Sequence, residues 1–499
     1  MTTTFSIPNP ATNGKGYRPG MNTLFNTDYG REVPFNNLMK QSRDVWVRNS
    51  SDTFDGTLDS NGYITDPGTA VAHNQVVVIS ASRAGMLPTG NYVLTWSGTG
   101  DCELVATGTL SIGSPTTSTN RKVYNITDWG DDDLLYFRVP IASTDVTDVV
   151  ICHEDYEGTC GPGGANEFYQ PFLDVYADFP GGIRFMNWQA TNQLDGWSAW
   201  SNRKPDSYRT YTHGAFDDGT GRHAMPGVPL SACVRLQNKL GVPGWYCIPH
   251  EYDDSSVTSW GQYLVDNVNE ELKIAIEYSN ETWNGGFVQN SYAQTQGLAE
   301  QAATGRFDDQ NPSFPFWPWA AYRSTQCKRI IEPLFVAAGT DDRVTFVLGL
   351  QVGSNESKNA LDCHVEVNYG VDAHEKPEDH HDSATVAFYW GNALLAEPQY
   401  SNNGLADNAA SSLKDGATKN TVNMTKEEVY QFFESLDAYE STLDGSTRWA
   451  DWEARIVTTG GMEMLGYEGQ HHVVCVGGVA GEAPAQTIVG SYEEERWGD

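Results

Sequence analysis

No stretch of this 499-residue chain approaches the ~18 consecutive apolar residues that a membrane-spanning helix needs, so insertion across a bilayer is not expected. The opening MTTTFSIPNPATNG carries neither a basic region nor an apolar segment, and no secretory signal of that form is read in it. Basic residues are scarce, 31 Lys and Arg against 65 Asp and Glu, for a net charge of −34. A surface this negative repels phosphate backbones, which removes nucleic acid from the expected partners and otherwise favours solubility. The eight cysteines include no CxxC pair, so a zinc ribbon is unsupported; Cys152 and Cys160 bracket a short acidic loop where a bridge could close, and the others read as core thiols. Gly-rich phosphate turns of the GxGxxG or GxxxxGK[ST] kind are missing too, which argues against a doubly wound nucleotide-binding sheet. His364, His374, His380 and His381 lie in an acidic run, but their spacing matches no helix-borne ligand pair. The stretch DSNGYITD (Asp59 to Asp66) lacks the twelfth-position Glu of a calcium loop and reads as a turn. Neither a metal nor a cofactor is expected.

Apolar residues are plentiful: 39% of the chain is hydrophobic and 12% aromatic, with 15 Trp, enough for a substantial core. After a polar arm, RPGMNTLFN reads as a short buried strand. PFNNLMKQSRDVW (Pro34 to Trp46) has helical spacing through Phe35, Leu38, Met39 and Trp46. Short alternating runs then follow with Gly, Pro and Thr turns, among them NQVVVISA, GNYVLTWSG, KVYNIT and LLYFRVPI. Such runs suggest a small β-sandwich. From TCGPGGANE onward helices and strands alternate, ending with a helix TKEEVYQFFESLDAYE and a strand MEMLGYEGQHH. Alternation of this kind places parallel strands side by side with helical crossovers. Seven such strands can be counted. The expected fold is therefore an α/β (β/α)8 TIM-type barrel, short or incomplete in its eighth strand. Residues 1–57 hold the arm and first βα unit, 58–155 an inserted β-sandwich-like domain, and 156–499 the rest of the barrel.

Strand ends are where a barrel keeps its chemistry. The fourth runs into IEYSNETWN (Ile276 to Asn284), which gathers two glutamates, two asparagines and an indole where a strand becomes a loop. Glu281 follows Asn280 there, and Glu468 follows Tyr467 at the end of the seventh. In a closed barrel those two ends face each other, and two carboxyl groups ~5 Å apart are the apparatus of retaining glycoside hydrolysis. Plainer readings stand beside this one. Glu281 could cap the next helix, Glu468 could pair with Arg184 or His471, and Glu277, alternating with Ile276, reads as structural. Trp188, Trp197, Trp200, Trp283 and Trp390 sit at or just after strand ends, where an indole either stacks on a sugar or packs under a loop. His250 and Gln351 end other strands and are candidates for hydrogen bonds to a substrate.

EYSNETWN together with YEGQHH resembles the clan A glycoside hydrolases, in which an Asn-Glu pair ends the fourth barrel strand and a glutamate ends the seventh. In patches from about residue 18 to 472, GMNTLFN, PFNNLMKQSRDVW, RFMNWQATN and IEYSNETWN resemble bacterial and phage-borne barrel proteins of that type. The resemblance implies Glu281 as acid/base, Glu468 as nucleophile and Asn280 on the sugar 2-hydroxyl. It also implies Arg184 as support for the nucleophile and Tyr389 as an aromatic at the sixth strand end. Asn192, Trp390 and His471 lie within or beside the matching stretches and join the substrate-binding candidates. The eighth strand, where the family usually places a sugar-stacking tryptophan, has no counterpart here.

The expected activity is a retaining, endo-acting glycoside hydrolase on a polysaccharide, for instance a virion-borne depolymerase. The alternative is a non-catalytic carbohydrate-recognising protein of phage-tail type on the same barrel. An extracellular or virion-associated place is favoured, with the cytoplasm as the other option. A homo-oligomer or a partner chain would supply the missing barrel element.

Overall fold

The computed structural model describes residues 21–30, 32–48, 52–69, 72–80, 86–130, 133–143, 145–177, 181–212, 225–307, 313–351, 360–361, 376–390, 452 and 454–471. Side chains are described for all of these except 48, 52–53, 387–390 and 467–471. The TKEEVYQFFESLDAYE helix, His364, His374 and the chain beyond His471 lie outside the described residues. Two compact units are present, one of Met1–Val347 with His364–Val371, the other of Leu348–Cys363 with Asp372–Asp499.

In the first unit the parallel strands β1 (Met21–Asn22), β2 (Ile183–Arg184), β3 (Gly244–Ile248), β4 (Ile274–Tyr278) and the start of β5 (Val344–Leu350) neighbour one another in sequence order. Order without reversal is the singly wound pattern of (β/α) barrels rather than that of an open doubly wound sheet. In the second unit β6 (Ser383–Trp390) and β7 (Glu463–His471) pair in parallel. The fold is mixed α/β with a partial TIM-like arrangement.

Alternation along these strands separates two faces. Ile183, Tyr246, Ile248, Ile274, Ile276, Tyr278 and Phe346 enter one core with Trp260, Leu264, Ile331 and Phe335 from the helices. The residues between them, Arg184, Trp245, Cys247 and Glu277, therefore point to the opposite face, because successive side chains of a strand alternate. Crossovers are made by helices α1 (Gln170–Ala177), α2 (Leu230–Leu240), α3 (Asp254–Asn267), α4 (Val288–Thr304) and α5 (Phe316–Ala338). Helix α2 stops where the sequence says it should, at Gly241, whose φ of 67° needs a residue without Cβ strain. Helix α3 is capped by Asp253, which accepts a hydrogen bond from Ser256 N at 2.7 Å.

Between β1 and β2 the chain builds two five-stranded antiparallel sheets and a two-stranded one. His73–Ser80 and Leu134–Pro140 are central to one five-stranded sheet, and Gly90–Ser97 and Arg121–Asp128 to the other. Val76, Val78, Leu94, Ile126, Leu135, Phe137 and Ile151 form their shared core. Asp59 Oδ1 accepts from Asn61 N and Tyr63 N, so DSNGY is a turn, and Ile64–Asp66 form a short strand paired with Thr57–Leu58.

The expected helix over Pro34 to Trp46 is not there; only Leu38–Gln41 form a 3-10 turn. Its hydrogen bonds are spent on neighbours. Lys40 O accepts from Asn26 Nδ2 and Tyr211 N, Arg43 N donates to Val77 O, and Asn37 Oδ1 accepts from Ile151 N. Tertiary partners won over helical spacing.

Gly297, inside α4, shows how tightly α4 meets the start of α5. A Cβ there would lie 2.4 Å from Pro315 O, a backbone atom with no rotamer to move. Alanine normally gains about 1 kcal/mol over glycine in a helix. Here Gly297→Ala is expected to destabilise the protein instead, by about 1–3 kcal/mol of overpacking, read as a lowered urea midpoint.

Candidate functional site

The site is built from the end of β4. Residue 278 is the last of the strand, and Ser279 N still donates to Ile248 O at 2.9 Å. Then two non-glycine residues take positive φ, 59° at Ser279 and 39° at Glu281. Left-handed backbone at ordinary residues costs about 1–3 kcal/mol each and persists only where surroundings enforce it. The enforcement is visible around Asn280, which is 1% exposed. Its Oδ1 accepts from Arg184 Nη2 at 2.8 Å, its Nδ2 donates to Asn192 Oδ1 at 3.0 Å, and its carbonyl accepts from Gln289 Nε2 at 2.7 Å. Gln289 Nε2 also reaches Asn192 Oδ1 at 2.6 Å. Arg184 and Asn192 thus fix the side-chain amide of this residue, and Gln289 fixes its main-chain carbonyl.

Beneath it lies a buried ion pair. Arg184 Nη2 is 2.8 Å from Glu277 Oε2, the side chains being 5% and 1% exposed. The same oxygen accepts from Trp245 Nε1 at 3.0 Å, and the guanidinium lies over the Trp245 ring at 5.2 Å. Arg184, expected to support a nucleophile, is here shared between Glu277 and Asn280 of the fourth strand end.

Glu281 is 8% exposed, and its Oε2 accepts from Asn284 Nδ2 at 3.0 Å. Asn284 O accepts from Phe287 N and Asn284 Oδ1 from Gly286 N, so the TWNGG loop closes on itself beside the carboxylate. Capping of α4 does not employ Glu281, since the cap position is Phe287 and no side chain caps it. Trp283, half-buried, stacks on Trp317 at 5.1 Å between ring centroids.

Two expected substrate contacts are placed elsewhere. Trp188 is 1% exposed and packs among Phe35, Phe172 and Phe185, so its indole belongs to the core. His250 is also 1% exposed, its ring edge-on to Tyr292 at 5.2 Å and both ring nitrogens without a hydrogen-bond partner. Burial pushes this imidazole down to about 4, with the charge of Asp195 opposing. It is neutral in the folded protein while an unfolded histidine protonates near ~6.5, so its contribution to stability is present above that pH and is lost as pH falls toward 4. The stability difference between the protein and His250→Gln is expected to shift by about 2.5 kcal/mol against the parent between pH 7.5 and 4.5, measured by urea unfolding.

Gln351 is half-buried just past β5. Tyr389, Trp390, Glu468 and His471 lie in β6 and β7, and their side chains are outside the described residues. The backbone at Glu468 is nonetheless informative. Ala387 faces Tyr467 and Tyr389 faces Gln470, so Glu468 and Gly469 together oppose Phe388 alone. That extra residue is a β-bulge, rare in parallel pairs and over-represented beside active sites.

Sequence reading missed Gln289, fully buried in the first turn of α4, while Glu277, read as structural, is the buried partner of Arg184. For Glu277 the signal was present: in IAIEY the glutamate alternates out of the apolar face. Among the described residues no group of three His, Cys, Asp or Glu could hold a metal ion, and no helix is long and apolar enough to cross a membrane. Cys152 and Cys160 are both buried, free thiols.

No protein-family model matches this chain, and no curated protein matches it in sequence. Among solved structures, that of a ruminal GH26 endo-β-1,4-mannanase aligns with 72% of this chain and 76% of its own, at 10% identity and a TM-score of 0.21.

Proposed function

We propose that the chain is a retaining glycoside hydrolase acting on a polysaccharide, with Glu281 as acid/base and Glu468 as nucleophile. The observation that carries this reading is the Asn280–Glu281 corner. An almost buried glutamate on strained backbone follows an asparagine whose side chain Arg184 and Asn192 hold and whose carbonyl Gln289 holds. Strain of this kind, enforced from three sides, fits a preorganised site better than a loop cap. For the second carboxylate the reading relies on the resemblance of EYSNETWN and YEGQHH to clan A enzymes, and the backbone bulge at Glu468 is in keeping with it.

Glu281 would protonate the leaving glycosidic oxygen while Glu468 attacks the anomeric carbon, forming a glycosyl-enzyme ester. Water, losing its proton to Glu281, would then hydrolyse that ester and restore both groups. Asn280 would hold the 2-hydroxyl of the reacting sugar. The two five-stranded antiparallel sheets between β1 and β2 would form an inserted module beside this catalytic part.

New reducing ends, released from a panel of plant, algal and bacterial-surface polysaccharides, are the test. Cleavage of one class, with the product's anomeric configuration retained, is the expected result. Binding to a polysaccharide without cleavage would instead make the protein a carbohydrate-recognising one.

A further inference from the structure

Cys152 and Cys160 lie where the antiparallel sheets give way to α1, with seven residues between them. Cys152 belongs to the strand Thr147–His153 and pairs with Val93 of Gly90–Ser97. Its neighbour Ile151 enters the core shared by the two five-stranded sheets, so Cys152 points to the outer face of its own sheet. Cys152 is nonetheless 1% exposed, because the chain that follows folds back over it and buries Cys160 there as well. Several contacts fasten this loop. Arg121 donates to both carboxylate oxygens of Glu157 at 2.7 and 2.9 Å, and Asn91 Nδ2 donates to Glu154 Oε1 at 3.0 Å. Cys160 N donates to Tyr156 O, and Asn166 N to Thr159 O, both at 3.1 Å. Gly164 fits so close under Thr159 that a Cβ would lie 2.1 Å from Thr159 O. Held this way, the Cys152 thiol donates a hydrogen bond to the Cys160 sulfur.

We propose that Cys152 and Cys160 are a dithiol that low-molecular-weight disulfides oxidise to a bridge, which locks the loop between the sheets and α1. The proposal is independent of the hydrolase reading. Three observations support it. The sulfurs already touch, so a turn of the side chains and a small shift of the loop close the bond without moving the strand. The hydrogen bond from Cys152 pushes the Cys160 thiol down against its burial, whereas burial pushes up Cys102, Cys233, Cys247 and Cys327. Among the described cysteines Cys160 is therefore the favoured thiolate, which is the form that attacks a disulfide. Gly158 and Pro162, on either side of it, are exposed, so a local opening of this loop reaches it. In the first step the Cys160 thiolate attacks the reagent RSSR, making a mixed disulfide and releasing RS⁻. Cys152, losing its proton to solvent, then attacks the Cys160 sulfur of that mixed disulfide and releases the second RS⁻. The pair gives up two protons and two electrons, and the reagent leaves as two RSH.

The test uses the full chain, purified with a reductant, freed of it and incubated with oxidised glutathione before alkylation, digestion and mass spectrometry. A peptide pair joined through Cys152 and Cys160 is expected, with Cys102, Cys233, Cys247 and Cys327 still thiols. Cys152→Ser keeps a donor to Cys160 but removes the second sulfur, so glutathione should accumulate on Cys160. Cys160→Ser should carry at least about tenfold less on Cys152. In the bridged protein, cleavage after the exposed Glu154 and Glu157 by a glutamate-specific protease should be about tenfold slower than in the reduced one, and dithiothreitol should restore it. Oxidised glutathione should leave that cleavage unchanged in Cys160→Ser, and far-UV circular dichroism should match the parent in both variants. Two free thiols after oxidation, glutathione on Cys152 in preference to Cys160, or cleavage indifferent to the bridge overturns the proposal.

Discussion

Glu281→Gln is expected to lower the rate of polysaccharide cleavage by about 10³-fold, within the range general acid–base catalysis supplies. The substitution is nearly isosteric, and its amide can still meet Asn284, which donates to Oε2 at 3.0 Å. The backbone strain at φ 39° is unchanged as well, so the folded structure should persist and only the proton is removed. A rate loss of that size is about 4 kcal/mol of transition-state stabilisation. An aryl glycoside whose leaving group needs no proton discriminates between roles. Its first step should survive in Glu281→Gln and the glycosyl-enzyme should accumulate, because the base for the second step is missing. Glu468→Gln should abolish both steps, since no ester can form. Unchanged cleavage in either variant would remove that residue from the mechanism.

Breaking the ion pair under Asn280 should have the largest effect on stability. Arg184→Met leaves Glu277 buried at 1% exposure with Trp245 Nε1 still donating to it but without its cation. Glu277→Leu takes that carboxylate away from the buried Arg184 guanidinium. Either single change is expected to cost about 3–5 kcal/mol, measured by urea unfolding. The double variant should recover most of the loss, because apolar residues of similar volume replace a buried pair with little net penalty. Activity separates a positioning role from a merely structural one. Asn280 loses the donor to its Oδ1 in Arg184→Met, so kcat should stay low in the double variant although stability returns. Recovery of both together would make the pair a structural feature alone.

Strand and helix positions were legible wherever burial was local to an element. KIAIEY alternates, and its Ile274, Ile276 and Tyr278 enter the core while Glu277 turns away from it. In LSACVRLQNKLG the stretch before the glycine matches α2, and the glycine is where the helix stops. PFNNLMKQSRDVW did not follow its own pattern, because the polar groups of Asn37 and Lys40 found partners in Ile151, Asn26 and Tyr211, up to 171 positions away along the chain. Nor does a sequence rank tryptophans. Trp188 and Trp283 both follow strand ends, yet one is sealed by Phe35, Phe172 and Phe185 and the other is half-buried in a loop, stacked on Trp317.

By itself the sequence determined the order of strands and crossover helices, the acidic surface and the Asn-Glu corner, since each depends on neighbours in the chain and on the period of a helix or strand. The tertiary structure decided what holds that corner. Arg184 comes from β2, Asn192 from the loop after it and Gln289 from α4, and their hydrogen bonds to Asn280 span 96, 88 and 9 positions. Contacts of that range follow from packing, where a buried polar group must find a partner whatever its distance along the chain.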